Sequence, residues 1–590
     1  MLPNSRPRTR RLTIIAQDPT VKVGGKILTA EVDVPAEEIS PGPRGYRVQV
    51  IDYDSSTGVL YQPLEYPEME NGRYIDPFKE IAARSQGDTL VNNPHFHHQN
   101  VYAIVMKTLA RFEFALGRRI SWGFPGHQIN VAPHAFADAN AFYSKRDQAL
   151  VFGYFRGLSG ETVHSCLSHD VVAHETTHAL LDGLRNRYTD PSSAEQAGFH
   201  EGFSDVVALL SVFSLKDIVG TLLKSGRHSP KRQENDLVDP DDLSIDRLRR
   251  SVLMGLAEQM GAEMGVGVRG DRAQALRRSV ELETLKPDDD RQMYKKLEEF
   301  QEPHRRGEIL VAAMLNAFLC VWRARIDKLE RGRVGAKLDL QLVVDEGASA
   351  ADQLLTIAIR ALDYCPPTDL QFSDYLSALL TADKELVPDD SKYKYRGIVR
   401  KSFEDYGIDP ANNDSTDGTW DTWHKEIYYD RSHFESMLRD PDEVFRFVWE
   451  NRKELALVAK AYTKVISVRP CLRIGPDGFA LRETVAEYIQ MVTLQAQELQ
   501  LFDPPIGKPD AMQPDQEVTI YGGGSLIFDE YGRLKYHVSN RLSNSTKQTP
   551  RLKYLWKCGY FQDPDSAQNA FARLHLGRAL NLKSKLGEAF

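Results

Sequence analysis

A chain of 590 residues is too long for one hydrophobic core, so two to four domains are expected. Its composition, 42% hydrophobic and 27% charged with a net charge of -9, is typical of a soluble globular protein and argues against a nucleic-acid binder, which would carry a basic face. Five scattered cysteines without a CxxC pair indicate neither a disulfide framework nor a thiolate zinc site. Since neither a signal sequence nor a continuous apolar membrane segment is apparent, we expect a cytoplasmic protein with no membrane partner.

The predicted elements change in character along the chain. Residues 12–90 alternate between polar and apolar in short strand-like segments, among them KILTAEVDV and YRVQVIDYD. A helical period begins at Asn100, and a predicted strand, HQINVAP, and hairpin, AFYSKRDQALVFGYF, follow it. Helical patterns then dominate, with candidates at 166–183, 197–213, 243–265, 305–328, 349–363 and 394–405.

The last third of the chain has a different pattern. IDPANNDSTDGTW reads as a linker, and a helix around 442–462 precedes the strand-like segments KVISVRPCLRI and EVTIYGGGSLIFDEYGRLKYHV. The triple glycine 522–524 lacks the Lys-Ser/Thr of a phosphate loop, so it predicts a turn or a bulge. We therefore divide the chain into a β-rich segment 1–90, two catalytic lobes at 91–185 and 186–409, and a region 410–590 that carries no catalytic motif and could bind a protein partner.

The segment DVVAHETTHALLDGL, residues 170–184, contains two histidines at helical spacing. His174 and His178 are four residues apart and lie on one face of a helix, so both imidazoles can point at one metal ion. Glu175 is rotated by about 100° from His174 and can lie beside that ion without binding it. This H-E-x-x-H pattern predicts two zinc ligands and a general base within one helical turn.

A second predicted helix, GFHEGFSDVVALL, provides acidic residues at the same spacing. Glu201 can complete a set of two histidines and one glutamate. Asp205, four residues on, can accept the second N–H of a histidine ligand and so fix its tautomer. The alternative interpretation is an acidic, solvated helix face.

With these motifs the chain resembles the thermolysin-like zinc metallopeptidases, over about 90–409. DVVAHETTHAL is similar to the central helix of that family, and HEGFSD is similar to its N-E-x-x-S-D segment. The resemblance implies an α+β fold with a β-rich N-terminal lobe and a helical C-terminal lobe, to which this chain adds a mixed α/β region. It also implies one zinc ion per chain, held by His174, His178 and Glu201, with Asp205 behind His174.

The resemblance extends to residues that would bind the substrate. NAFYSKRDQALVFGYF is similar to the family's edge strand, which implies that Asn140 and Ala141 bind the peptide main chain and that Phe142 flanks an apolar subsite. The segment 274–314 is similar to the family's A-L-R-S segment and to its later histidine. By the same resemblance, Arg277 would bind a substrate carbonyl group, and His304 would donate a hydrogen bond in the transition state. Glu299 would orient His304, and Tyr188 would assist at the oxyanion.

Some features depart from the family pattern. His178 and Glu201 are separated by 22 residues, more than in typical members, and His200 replaces the asparagine that precedes the ligand glutamate. Asp170 matches a calcium ligand of secreted members, but the next acidic position of that site falls near Val212, so a structural calcium ion is not supported. No large pro-domain fits before residue 90.

These observations predict a zinc-dependent metalloendopeptidase that acts on peptides or proteins. An aminopeptidase of the same zinc group is an alternative, although no G-x-M-E-N segment is present. A non-catalytic zinc-binding effector is the other alternative. The HFHH run at 95–98 indicates a helix entry rather than a second metal site, and Cys166 is interpreted as a packing cysteine.

Overall fold

The computed structural model describes residues 7–19, 22–23, 26–84, 88–157, 160–190, 192–225, 237–255, 279, 281–330, 337–412 and 415–561. It contains both helices and strands and belongs to the α+β class. The helices are Lys79–Arg84, Asp88–Val91, Pro94–Leu116, His169–Leu184, Ala194–Phe213, Lys216–Ser225, Ile245–Gly255, Met293–Lys296, Pro303–Glu330, Leu340–Arg360, Phe372–Leu386, Tyr395–Glu404, Phe434–Met437, Pro441–Glu450 and Ser545–Lys557. The strands are Thr9–Ile15, Lys22–Val23, Lys26–Ile27, Thr29–Pro35, Val48–Val50, Tyr53–Asp54, Val59–Leu60, Ile129–Phe136, Ala141–Ser144, Ala149–Arg156, Thr162–His164, Leu237–Val238, Leu338–Asp339, Tyr462–Ile474, Ala480–Gln495, Glu517–Phe528 and Leu534–Asn540.

A mixed sheet forms the N-terminal part of the site. Its strand order is Thr162–His164, Ala149–Arg156, Ile129–Phe136 and Val48–Val50, and Ala141–Ser144 pairs with Ala149–Arg156 as an antiparallel hairpin. The long helix Pro94–Leu116 packs against this sheet and against the hairpin of Thr9–Ile15 with Thr29–Pro35.

The helix Pro94–Leu116 has clear sequence signals at both ends. The Asn93 side chain accepts hydrogen bonds from the backbone N–H groups of His95 and Phe96, and Pro94 occupies the first turn, where no intrahelical N–H is needed. Gly117 ends the helix with φ of 67°, a left-handed conformation that glycine adopts without strain. The predicted helix entry at HFHH is therefore confirmed.

A four-stranded antiparallel sheet of 462–474, 480–495, 517–528 and 534–540 dominates the C-terminal region. It shares the main core through residues such as Val485 and Ile527, both at most 1% exposed. Arg473, 1% exposed, pairs with Asp363 at 2.5 Å and also with Glu483. Since removing one partner of a buried ion pair is strongly destabilising, this region is part of the structural support of the preceding lobes.

The triple glycine 522–524 lies inside the strand Glu517–Phe528, with Gly523 and Gly524 paired on both sides, so the predicted turn or bulge is wrong. Glycines occupy these positions because neighbouring backbone atoms leave no room for a side chain. A Cβ on Gly522 would lie 2.4 Å from the backbone N of Leu542, and one on Gly523 would lie 2.5 Å from the carbonyl oxygen of Tyr488. The glycines therefore allow close backbone approach in a central strand.

Among the described helices, Pro303–Glu330 has the length and mean hydropathy of a membrane-spanning segment. However, 83% of its most apolar window is buried within the protein. This burial is typical of the central helix of a folded core.

Candidate metal centre

Two adjacent helices position the predicted metal ligands. The first, His169–Leu184, carries the H-E-x-x-H motif and is buried on nearly all its faces. The second, Ala194–Phe213, begins at Ser193, whose hydroxyl accepts a hydrogen bond from the backbone N–H of Gln196. The two helices pack directly against each other, so that the motif faces the acidic residues of the second helix.

His174, His178 and Glu201 form a compact group whose ligand atoms all lie within 4.8 Å of one another. Nε2 of His174 is 3.6 Å from Oε2 of Glu201, and Nε2 of His178 is 3.9 Å from the same oxygen. All three residues are at most 3% exposed. Two imidazole nitrogens and one carboxylate are a donor set that suits zinc, so these residues could hold a metal ion.

The far nitrogens of both histidines are held by residues of the second helix. Nδ1 of His174 lies 2.7 Å from Oδ1 of Asp205, as the sequence predicts. Nδ1 of His178 lies 2.8 Å from Nδ1 of His200 and 3.1 Å from Oγ of Ser204. Because Nε2 of each histidine faces the cluster, Nδ1 carries the proton, and Nδ1 of His200 is placed to accept the proton of His178.

His304 joins the cluster from the helix Pro303–Glu330. Its Nε2 lies 3.1 Å from Oε2 of Glu201, and its Nδ1 lies 2.8 Å from Oε1 of Glu302. Glu302 immediately precedes the helix, and its other oxygen accepts the backbone N–H of Arg305 at 2.8 Å. The prediction that Glu299 orients His304 is wrong, because Glu299 instead pairs with Arg305 at 3.0 Å.

Glycines bring the His304 helix close to the ligand Glu201. A Cβ on Gly202 would lie 2.7 Å from the carbonyl oxygen of Gly307, and a Cβ on Gly198 would lie 2.6 Å from Cγ of Arg306. Residues 198 and 202 are one helical turn apart and therefore form a flat face on which the other helix rests. This contact sets the distance between His304 and Glu201.

The surrounding rings keep Glu201 ionised. Burial alone would raise the pKa of its carboxyl group, but His304, His178 and His174 together hold that pKa well below its ordinary value. An ionised glutamate is the form that binds a metal ion.

Glu175 lies next to the edge strand Ala141–Ser144. It is fully buried, and its Oε2 accepts the backbone N–H of Tyr143 at 3.0 Å. Among the described strands, Ala141–Ser144 pairs only with Ala149–Arg156. The backbone N–H and C=O groups of successive residues point to opposite sides of a strand. Those of Ala141 and Tyr143 therefore point away from Ala149–Arg156, toward the edge that lies beside the histidine cluster.

The other predicted substrate residues flank this edge. The side-chain oxygen of Asn140 accepts a hydrogen bond from the backbone N–H of Ala141 at 2.9 Å. The backbone carbonyl oxygen of Asn140 accepts one from the N–H of Gly153 at 2.8 Å. Phe142 stacks on Phe136, with ring centroids 5.7 Å apart. Arg277 lies outside the described residues.

Tyr188 does not occupy its predicted position at an oxyanion. Its hydroxyl is buried and donates a hydrogen bond to the carbonyl oxygen of Pro366 at 2.7 Å. Its ring packs edge-on against Phe199. The prediction for Tyr188 is therefore wrong, because its side chain is buried in the core and its hydroxyl is bonded to Pro366.

Asp170 lies in the first turn of the H-E-x-x-H helix. Burial, followed by the nearby Asp18 carboxylate, raises the pKa of Asp170 to about 6. Asp18 is itself 2% exposed and accepts a hydrogen bond from Ser168. This helix end therefore holds two acidic groups close together in a buried setting.

The chain matches no protein-family model and no curated protein significantly. The sequence motifs identified the three residues that could hold a metal ion, together with Asp205, but missed Glu302 and the Tyr143 N–H. Glu302 could have been found as the capping residue before Pro303, whereas the Tyr143 contact is made by the backbone and has no sequence signal.

Proposed function

We propose that this chain is a thermolysin-like, zinc-dependent metalloendopeptidase. The observation that carries the proposal is the cluster of His174, His178 and Glu201, with Glu175 and His304 beside it. When bound, zinc would lower the pKa of a coordinated water to about 7 and polarise the scissile carbonyl group. The zinc ligands are the two histidines and Glu201.

The side chains of the cluster then have distinct tasks in amide hydrolysis. Glu175 accepts the proton of the attacking water and delivers it to the leaving amine. His304, with Nδ1 held by Glu302, presents Nε2–H to the oxyanion of the tetrahedral intermediate. Tyr188 takes no part, because its hydroxyl is committed to Pro366.

The unpaired edge of Ala141–Ser144 supports a peptide as the substrate class. An extended peptide can lie along this edge as an added antiparallel strand and donate to the backbone carbonyl group of Ala141, since the Tyr143 N–H is held by Glu175. Such pairing places a scissile bond near Glu175, because the Tyr143 N–H is 3.0 Å from that carboxylate. Phe142 and Phe136 offer an apolar surface to a substrate side chain.

The test is Glu175→Gln, which removes the base and keeps the shape of the side chain. We expect the zinc content to match that of the wild-type protein, while hydrolysis of an internally quenched peptide falls by about a thousandfold. Glu298→Gln, an exposed residue, is the matched control and should retain full activity. Full activity in Glu175→Gln would contradict the mechanism.

Peptides with blocked and free N-termini separate the two peptidase classes. An endopeptidase cleaves both, whereas an aminopeptidase requires the free amine. Absence of hydrolysis of any peptide by a zinc-loaded protein would favour a non-catalytic role instead.

A further inference from the structure

A second group of metal-binding side chains lies in the N-terminal lobe. His97 comes from the helix Pro94–Leu116, His134 from the strand Ile129–Phe136 and Cys166 from the short turn Ser165–Leu167. Their ligand atoms all lie within 4.8 Å of one another, and the residues are 1%, 2% and 0% exposed. Nδ1 of His97 is only 2.8 Å from Nε2 of His134.

The outer contacts of these two histidines fix their tautomers. Nε2 of His97 lies 2.7 Å from the carbonyl oxygen of Val91, which can only accept a hydrogen bond. Nδ1 of His134 lies 2.6 Å from Oδ2 of Asp52. Asp52 also lies 2.8 Å from Nε2 of the buried His98 and accepts the backbone N–H of His134 at 2.9 Å, so its carboxylate is placed as an acceptor on every side.

With a proton on each outer nitrogen, the inner nitrogens of neutral His97 and His134 face each other as lone pairs. Lone pairs at 2.8 Å repel, so this contact requires a positive charge. The charge is either an extra proton shared by the two rings or a metal ion bound by both. In each case Val91 and Asp52 hold the two rings in place by accepting their outer N–H groups. Backbone carbonyl groups and carboxylates orient metal-bound histidines in the same way.

Two observations favour the metal ion. Cys166 offers its sulfur atom within 4.8 Å of the ligand atoms of both histidines, and a shared proton would give that sulfur no role. In addition, the His164 ring lies 4.8 Å from the His97 ring and 5.0 Å from the His134 ring, and its buried Nδ1 has no hydrogen-bond partner among the described residues.

We propose that His97, His134 and Cys166 bind a second zinc ion, with His164 available as the fourth donor. Cysteine and histidine ligands together are typical of structural zinc, and a buried site without an open position suits that role. Tetrahedral binding requires about 3.3 Å between the two histidine nitrogens, so the rings would separate by a few tenths of an ångström. Burial raises the pKa of the Cys166 thiol, and its proton is released to solvent as the metal binds.

This second zinc ion would join three elements of the N-terminal lobe. It would tie the helix Pro94–Leu116 and the central strand Ile129–Phe136 to the turn that leads into the H-E-x-x-H helix at His169. The ion would thereby hold the start of the catalytic helix in place without taking part in the reaction.

Metal analysis of the full-length protein tests the proposal. We expect about two zinc ions per wild-type chain, about one in His178→Ala, about one in Cys166→Ser and none in the double variant. A wild-type content of one that disappears in His178→Ala but persists in Cys166→Ser would overturn the second site. A content that responds to Cys166→Ser but not to His178→Ala would instead overturn the proposed catalytic site and leave the second site standing.

Cobalt(II) substitution gives an independent readout, because sulfur is present only in the second site. The cobalt-loaded wild-type protein should show a near-ultraviolet thiolate-to-metal charge-transfer band. Cys166→Ser and His97→Gln should lose it, whereas the matched control Cys320→Ser should retain it. Absence of the band in the cobalt-loaded wild-type protein would overturn the proposal even if the Cys166 variant fails to fold.

Discussion

The two histidine clusters share an arrangement but differ in how they are built and what surrounds them. In both, a ring nitrogen of each histidine is held by an acceptor, such as Asp205 behind His174 and Asp52 behind His134. The ligands proposed for the H-E-x-x-H cluster come from two adjacent helices, next to Glu175 and to a strand edge without a partner among the described strands. The His97 cluster draws its ligands from a helix, a strand and a turn, and is enclosed by them.

The surroundings of each cluster indicate what a metal ion bound there could do. A cluster beside a strand edge and Glu175 has both a place for a substrate and a group that can move a proton. A closed cluster with a thiol ligand suits a structural zinc ion. The following experiments test this difference between the two clusters, in order of decreasing effect.

Gly202→Ala should damage the catalytic cluster alone. The added Cβ would lie 2.7 Å from the carbonyl oxygen of Gly307 and push the His304 helix outward. We expect kcat/KM to fall by about a hundredfold, as for a displacement of about 1 Å at a reacting centre. Stability should fall by about 1–3 kcal/mol, measured by chemical denaturation.

The control for this change is Gly220→Ala, where the new Cβ would lie 3.6 Å from Cγ2 of Val344, an ordinary contact. It should leave activity unchanged. The cobalt–thiolate band of the second cluster should persist in both variants. Unchanged activity in Gly202→Ala would show that the helix contact does not set the position of His304.

His200→Ala should weaken the catalytic zinc by removing the acceptor that holds Nδ1 of His178. Loss of such a partner typically costs 10–100-fold in metal affinity, which competition with a chelator measures. His200→Asn restores an acceptor and should bind zinc nearly as well as the wild-type protein. Equal losses in both variants would contradict the assignment of His200 as an acceptor.

Glu302→Ala should lower kcat by about tenfold, because it frees Nδ1 of His304 while keeping the donor itself. Steady-state assays should show little change in KM. Glu299→Ala is the matched control, since that carboxylate contacts Arg305 instead. A larger effect from Glu299 than from Glu302 would restore the prediction made from sequence.

Asp170→Asn should give the smallest effect, a stability change that depends on pH. The folded pKa of about 6 lies above the unfolded value of 3.8, so the wild-type protein loses stability as pH rises between these values. The variant lacks this penalty and should therefore be more stable by about 1–3 kcal/mol at pH 7.5 but not at pH 4.

Thermal denaturation with and without added calcium checks this expectation. The difference in Tm between the variant and the wild-type protein cancels any common loss of zinc at low pH. If calcium binds at Asp170, the same substitution should instead lower Tm when calcium is present.

The sequence alone predicted the H-E-x-x-H helix and the helix of Glu201, because both depend on short-range periodicity and on residue spacing within one or two turns, whereas the α+β class was implied by the resemblance of these motifs to a known family. Asp205 was predicted for the same reason. Predictions for residues farther apart in the sequence were less reliable. Glu299 and Glu302 are both close to His304 in sequence, and only the capping geometry before Pro303 decides which of them reaches its ring.

Tertiary structure decided what spacing could not encode. The Tyr188 side chain packs into the core from the short 3-10 helix Asn186–Thr189, and the triple glycine lies in a central strand, where neighbouring backbones leave no room for a Cβ on Gly522 or Gly523. His97, His134 and Cys166 meet although 69 positions separate the first and last of them in the chain. HFHH indicated only a helix entry, since its metal-binding partners lie on another strand and turn that packing alone brings together.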